Sequence, residues 1–138
     1  QLIQVRDNGH GITADGLAQA FLRYTTSKIS KGDDLFNIRT LGFRGEALAS
    51  IASVSEINVV SSVDESAGYQ MDLANGVTDA IKVAPPIGGT EITVRNLFYN
   101  TPARKKFLKS GTSEFRKIVK MFIMHLKMLR WIQKVFKS

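Results

Sequence analysis

Ile57-Asn58-Val59-Val60-Ser61-Ser62-Val63, Tyr69-Gln70-Met71-Asp72-Leu73, Ala80-Ile81-Lys82-Val83 and Thr90-Glu91-Ile92-Thr93-Val94-Arg95-Asn96-Leu97 each read as a strand, because short runs of β-branched and aromatic residues suit a pleated, half-buried surface. Asn75-Gly76 and Pro85-Pro86 through Gly89 separate them, and these turn signals predict an antiparallel meander. Upstream, Leu2-Ile3-Gln4-Val5 alternates like a further strand and runs into Asp7-Asn8-Gly9-His10-Gly11. Thr13 is placed to cap a helix with apolar positions Leu17, Ala18, Phe21 and Leu22. A second helix is predicted from about Glu46 to Val54. Between the two, Arg23 to Ile38 is polar and reads as a loop whose length points to a functional lid. Downstream, Asn100-Thr101-Pro102 predicts a cap and an N-terminal proline for a third helix. A last helix starts near Thr112 or Ser113 and runs to the end. That order predicts an α+β fold with helices on one face of a mixed, mainly antiparallel sheet.

The chain has 138 residues, about one average domain, and 43% are hydrophobic, too many for intrinsic disorder. Cysteine is absent, which excludes a disulfide framework, a zinc ribbon, a thiol nucleophile and an iron–sulfur cluster. With only His10 and His125, a multi-histidine metal site is not expected. No apolar run approaches the roughly 18 residues of a membrane span, and nothing reads as a signal peptide. The expectation is a soluble cytoplasmic protein without membrane partners.

The net charge of +7 is unevenly spread. Residues 1–100 carry 8 basic and 11 acidic side chains, a net −3, and residues 101–138 carry 11 basic and 1 acidic, a net +10. There is no initiator methionine, and both ends fall inside patterned segments, so the chain reads as a piece of a larger protein.

Three segments have the residue types that ligand chemistry needs. In Asp7-Asn8-Gly9-His10-Gly11, a carboxylate at a strand end accepts hydrogen bonds only, and the glycines leave backbone open to a flat ligand. An ordinary turn is the competing reading. In Thr40-Leu41-Gly42-Phe43-Arg44-Gly45-Glu46-Ala47-Leu48, two glycines precede a helix, so free N–H groups there suit an anion, and Arg44 adds a fork that fits phosphate. Glu46 also fits as a favourable charge at a helix start. Tyr24-Thr25-Thr26-Ser27-Lys28 offers hydroxyls and an ammonium to phosphates, or a solvated helix end. Gly89-Thr90-Glu91-Ile92-Thr93-Val94 and Leu97-Phe98-Tyr99-Asn100-Thr101-Pro102-Ala103-Arg104 read locally as a core strand and a capped helix.

Taken in order, these blocks resemble the N-terminal ATPase domain of the MutL family of DNA mismatch repair proteins, within the GHKL superfamily. The resemblance covers about residues 1–118. Leu41-Gly42-Phe43-Arg44-Gly45-Glu46-Ala47-Leu48 together with Leu97-Phe98-Tyr99-Asn100-Thr101-Pro102-Ala103-Arg104 carries it most specifically. It implies a GHKL-type (Bergerat) sandwich that binds ATP. Asp7 would accept from the adenine amine, Gly9 and Gly11 would give the base room, and Thr90 would lie near the adenine. Thr26 and Lys28 would belong to the lid, and Gly42, Phe43, Arg44, Gly45 and Glu46 to the phosphate side. It further implies lid closure and homodimerisation on ATP binding, with a MutS-type mismatch recognition protein and DNA as partners. The family's general-base glutamate and its magnesium-binding asparagine fall upstream of residue 1, so this chain alone is expected to hydrolyse ATP hardly at all.

The pattern departs from the family after about Val119, so residues 119–138 are expected to be a separate basic helical tail. At about 100° per residue, Arg116, Lys120, Lys127, Arg130, Lys134 and Lys137 share one face, and Phe115, Ile118, Phe122, Leu126, Leu129, Ile132 and Phe136 lie on the other side. Three readings stay open: a helix that binds nucleic acid, an acidic partner or a membrane surface; a core-facing helix; and a disrupted end. The alternative function is accordingly a small basic interaction module with a vestigial nucleotide pocket.

Overall fold

A computed structural model of the chain describes residues 2–22 and 47–135. The elements run β1 (Leu2–Asp7), α1 (Ala14–Ala20), α2 (Ala47–Ala52), β2 (Glu56–Ser62), β3 (Gly68–Ala74), β4 (Val77–Thr78), β5 (Lys82–Ala84), β6 (Gly89–Arg95), α3 (Pro102–Lys105) and α4 (Gly111–Val135). Contacts divide the chain into two compact units, residues 1–102 and 103–138.

The first unit is built on a sheet in the order β1-β6-β2-β3-β4, with β5 paired to β3. Every pairing among the described strands is antiparallel, so the mixed character expected above does not occur there. Asn75 and Gly76 both have positive φ, as a two-residue hairpin turn between β3 and β4 requires. The simple meander fails at β6, which returns to lie between β1 and β2. That return is a long-range pairing: it depends on two flanking strands offering matching apolar positions, which no local turn encodes. β6 also ends at Arg95 rather than Leu97, because Asn96 and Phe98 adopt left-handed backbone that breaks the ladder.

Register sets three rows of side chains across one face. Ile3, Val94, Ile57 and Leu73 form the first, and Val5, Ile92, Val59 and Met71 the second. The third, Asp7, Thr90, Ser61 and Tyr69, turns polar. The helices cover the apolar rows. Leu17 and Phe21 of α1 and Ala52 of α2 join Ile57, Val59, Met71 and Leu73 in one core, with Ile12, Leu48, Ile92 and Val94 packed against it. Ala18 and Leu22, among the apolar positions read for this helix, are exposed. β1 is exposed along its whole length, as an edge strand.

Local signals position these helices. The Thr13 hydroxyl accepts from Gly16 N–H at 3.1 Å and caps α1. Asn100 does not cap α3 as its sequence context predicts. Its Nδ2 instead donates to the Ser53 carbonyl and to Asn75 Oδ1, both at 2.9 Å, tying the end of α2 to the β3–β4 turn. Thr101 Oγ1 has no partner among the described residues and does not cap α3 either.

Two glycines let the polar row form. Gly11 has φ +71°, and a Cβ there would run into the Ser62 carbonyl oxygen. Gly89, at φ +107°, passes so close to β1 that a Cβ would meet the Asp7 carbonyl oxygen. Only glycine fits both demands.

In the second unit, α4 begins one or two residues earlier than the sequence predicts. Ser110 Oγ accepts from Ser113 N–H at 3.4 Å, and Glu114 Oε1 accepts from Lys109 N–H at 3.1 Å, so the first turn is capped from both directions. Phe115, Ile118, Met121, Phe122 and Leu126 of α4 are exposed.

Two outcomes are expected. Gly88 also has positive φ (+62°) but faces open space, so Gly88→Ala should cost about 1–2 kcal/mol. Gly89→Ala adds a backbone collision and should cost about 3 kcal/mol or more, compared by thermal unfolding. The Glu114 carboxyl is held below the ordinary glutamate range, first by the hydrogen bond from Lys117 Nζ at 3.0 Å and next by Lys109 N–H. A depressed folded pKa means the contribution is complete above the unfolded pKa and is lost as pH falls through the folded one. Helicity lost in Glu114→Gln relative to the parent at neutral pH should therefore shrink progressively as the pH falls through and below the ordinary glutamate range, read by circular dichroism.

Candidate functional site

The polar row ends the sheet face where β1 runs into Asn8-Gly9-His10-Gly11. Asp7 Oδ1 accepts from Gly9 N–H at 2.8 Å and from Thr90 N–H at 3.3 Å. The carboxylate is thereby fixed by its own loop and by β6. Asp7 Oδ2 accepts no hydrogen bond among the described residues, so an exposed, oriented acceptor is left for a ligand donor.

Behind it lies a hydroxyl cluster. Ser61, fully buried, places Oγ 2.8 Å from Thr90 Oγ1, 3.0 Å from the Gly89 carbonyl oxygen and 2.8 Å from Ile12 N–H. Ser62 Oγ accepts from Ile87 N–H at 3.0 Å and Gly88 N–H at 2.9 Å, and Arg6 Nη2 donates to the Ile87 carbonyl at 2.9 Å. The turn before β6 is thus pinned to β1 and β2 at the same end of the sheet. Its charge balance suits a polar, flat group with a hydrogen-bond donor on its edge.

Of the residues singled out from sequence, Asp7, Gly9, Gly11 and Thr90 come together here. Thr26, Lys28, Gly42, Phe43, Arg44, Gly45 and Glu46 lie outside the described residues. Gly9 contributes its N–H to Asp7, and Gly11 is needed against the Ser62 backbone. Sequence reading missed Ser61, Ser62 and the role of Gly89. The Ser61-Ser62 pair closing an apolar strand is a signal for the first two, because a strand end that turns polar on the buried face needs hydrogen-bond partners there.

A separate cavity of about 370 Å³ lies at the other end of β2, lined by Glu56, Asn58, Asp72, Val77, Asp79 and Arg95 among others. Three carboxylates against one guanidinium make it a poor host for polyphosphate. Among the described residues no group of three or more His, Asp or Glu side chains comes together to hold a metal ion. Among the described residues no helix is long and apolar enough to cross a membrane.

No protein-family model matches the chain. Curated proteins named DNA mismatch repair protein MutL do match it. The one from an Exiguobacterium species is 52% identical over 118 residues, 86% of this chain and 20% of that protein. The one from Macrococcus caseolyticus is 54% identical over 116 residues, 84% of this chain and 18% of that protein. The chain thus spans about a fifth of the length of these relatives. Among solved structures, the Aquifex aeolicus MutL ATPase domain complexed with ADP superposes with a TM-score of 0.60 at 31% identity, covering 88% of this chain and 41% of that one. Sequence and fold agree, and the chain belongs to the MutL family, matching part of its GHKL-type ATPase domain.

Proposed function

We propose that this chain is the ATP-binding part of a MutL-type DNA mismatch repair protein. The observation that carries the reading is the Asp7 carboxylate, tied through Oδ1 and open through Oδ2, in register with Thr90 at the polar end of the sheet. An aromatic amine at a base edge supplies the donor this acceptor lacks. Asp7 accepts from the adenine amine, Gly9 and Gly11 let the base approach the backbone, and Thr90 lies beside it. On the phosphate side, Gly42, Phe43, Arg44, Gly45 and Glu46 supply backbone N–H groups and a guanidinium suited to phosphate oxygens. Thr26 and Lys28 close over the nucleotide. ATP bound in this way supplies the group whose hydrolysis is the family's activity. In the intact protein, binding closes the lid and brings two copies together, coupling a MutS-type mismatch recognition protein and DNA to downstream repair.

The exposed Phe115, Ile118, Phe122 and Leu126 of α4, beside Arg116, Lys120 and Lys127, favour a second reading: a basic interaction module that acts through this helix.

Calorimetric titration with a non-hydrolysable ATP analogue separates the two. The nucleotide reading expects binding that Asp7→Asn weakens about tenfold or more, since a charged hydrogen bond and its acceptor are lost. Absence of binding by the folded chain overturns it. The second reading expects salt-sensitive DNA binding that is lost when residues 119–138 are removed and is indifferent to nucleotide.

A further inference from the structure

The dipeptide Asn-Gly occurs twice in the chain, at Asn8-Gly9 and at Asn75-Gly76, and both asparagines are exposed. An asparagine before glycine is suited to lose its side-chain amide to its own backbone. With no Cβ on the second residue, nothing hinders the approach of that residue's nitrogen to the carboxamide carbon.

The two copies meet different surroundings. Asn75 has the left-handed backbone that the β3–β4 turn requires, at φ 55°, beside the ladder pairs Ala74↔Val77 and Leu73↔Thr78. Its Oδ1 accepts from Asn100 Nδ2 at 2.9 Å, and Asn100 is itself anchored on the Ser53 carbonyl. Gly76 N–H donates to the Ala52 carbonyl at 3.1 Å, an acceptor that cannot carry the proton away. Ring closure at Asn75 has to open these bonds and rotate the peptide out of its turn. Asn8 lacks the first two restraints. It lies one residue past the last ladder pair of β1, Asp7↔Thr90, and its φ is not left-handed. Its carboxamide makes no hydrogen bond among the described residues. The third contact differs in kind. Gly9 N–H donates to Asp7 Oδ1 at 2.8 Å, so the nitrogen that must lose a proton already faces a carboxylate able to receive it.

We propose that Asn8 is a site of spontaneous deamidation, and that Asn75, in the same dipeptide, is held unreactive with Asn100 as its positioning residue. Gly9 N attacks Asn8 Cγ, and the N–H proton passes to Asp7 Oδ1. The Cγ–Nδ2 bond breaks, and Nδ2 takes up a proton and leaves as ammonia. Water then opens the cyclic imide, at Cγ to give aspartate or at the backbone carbonyl to give isoaspartate. One water enters and one ammonia leaves, with no oxidant or reductant. Either product puts a second carboxylate beside Asp7. Isoaspartate also lengthens the backbone between Asp7 and Gly11, and Gly11 is fixed against the Ser62 carbonyl, so the loop has little slack.

The experiment incubates the purified chain at mildly alkaline pH and follows amide-to-acid conversion on the two peptides by mass spectrometry after digestion. Urea-unfolded chain is the reference, and there the two asparagines should react at similar rates. In the folded chain Asn75 should fall about tenfold or more behind Asn8, because its bonds must open first. Asn100→Ala should speed Asn75 about fivefold and leave Asn8 unchanged. A folded chain in which Asn75 keeps pace with Asn8, or in which Asn8 is slowed as much as Asn75, overturns the proposal. Acceleration at both asparagines in Asn100→Ala reports a loosened fold and overturns the role of Asn100. In case that variant fails to fold, the comparison within the parent decides.

Discussion

The register of β1, β6 and β2 is the constraint on which the site depends. Asp7 opposite Thr90, and Thr90 opposite Ser61, form a row only because three strands from distant parts of the sequence align to the residue. A slip of one position would send Asp7 to the other face and carry Ile3 and Val5 with it. Two sites of close backbone approach hold the alignment. Gly89 lies against the Asp7 carbonyl and Gly11 against the Ser62 carbonyl, so the loops on either side of the row are clamped where it ends.

The same face therefore does two jobs, divided by position along the strands. Its first two rows bury Ile57, Val59, Met71 and Leu73 under α1 and α2 and supply the hydrophobic stabilisation. Its third row is polar, which a packed core tolerates only where each group finds a partner. Ser61 meets that condition by joining Ile12, Gly89 and Thr90. The Ile12 N–H bond also fixes the chain just before the Thr13 cap, so α1 is anchored to the polar row as well as to the core.

What was legible in the sequence follows from how local each signal is. Thr13 caps α1 and Asn75-Gly76 turns β3 into β4, because both effects act within a few residues. A long helix in the place of α4 is equally readable from its periodicity. The place of β6 was not, since its partners are decided by β1 and β2 together. Asn100 looked like a cap and serves as a tie between α2 and the hairpin, a choice made by tertiary contacts. Asp7 could be picked out from its own segment, and Thr90 through the family resemblance alone. Their alignment through Ser61 could not, because a buried serine is marked only by the company that folding gives it.

On the proposed nucleotide reading, base recognition and phosphate binding fall to different parts of the chain. Asp7, Thr90 and Ser61 sit on strands whose register and backbone clamps leave little freedom, so the base edge is organised before any ligand arrives. Residues 23–46, which hold Thr26, Lys28 and the Gly42–Glu46 segment, connect α1 to α2. Leu17 and Phe21 of α1, and Ala52 of α2, bury into the same core, so both flanks of that connection are tied to the sheet that holds Asp7. A nucleotide held in this way would meet a base edge that the sheet has already organised. Selectivity for the base would then be set by the sheet, and response to the phosphates by the connection, each open to change without loss of the other.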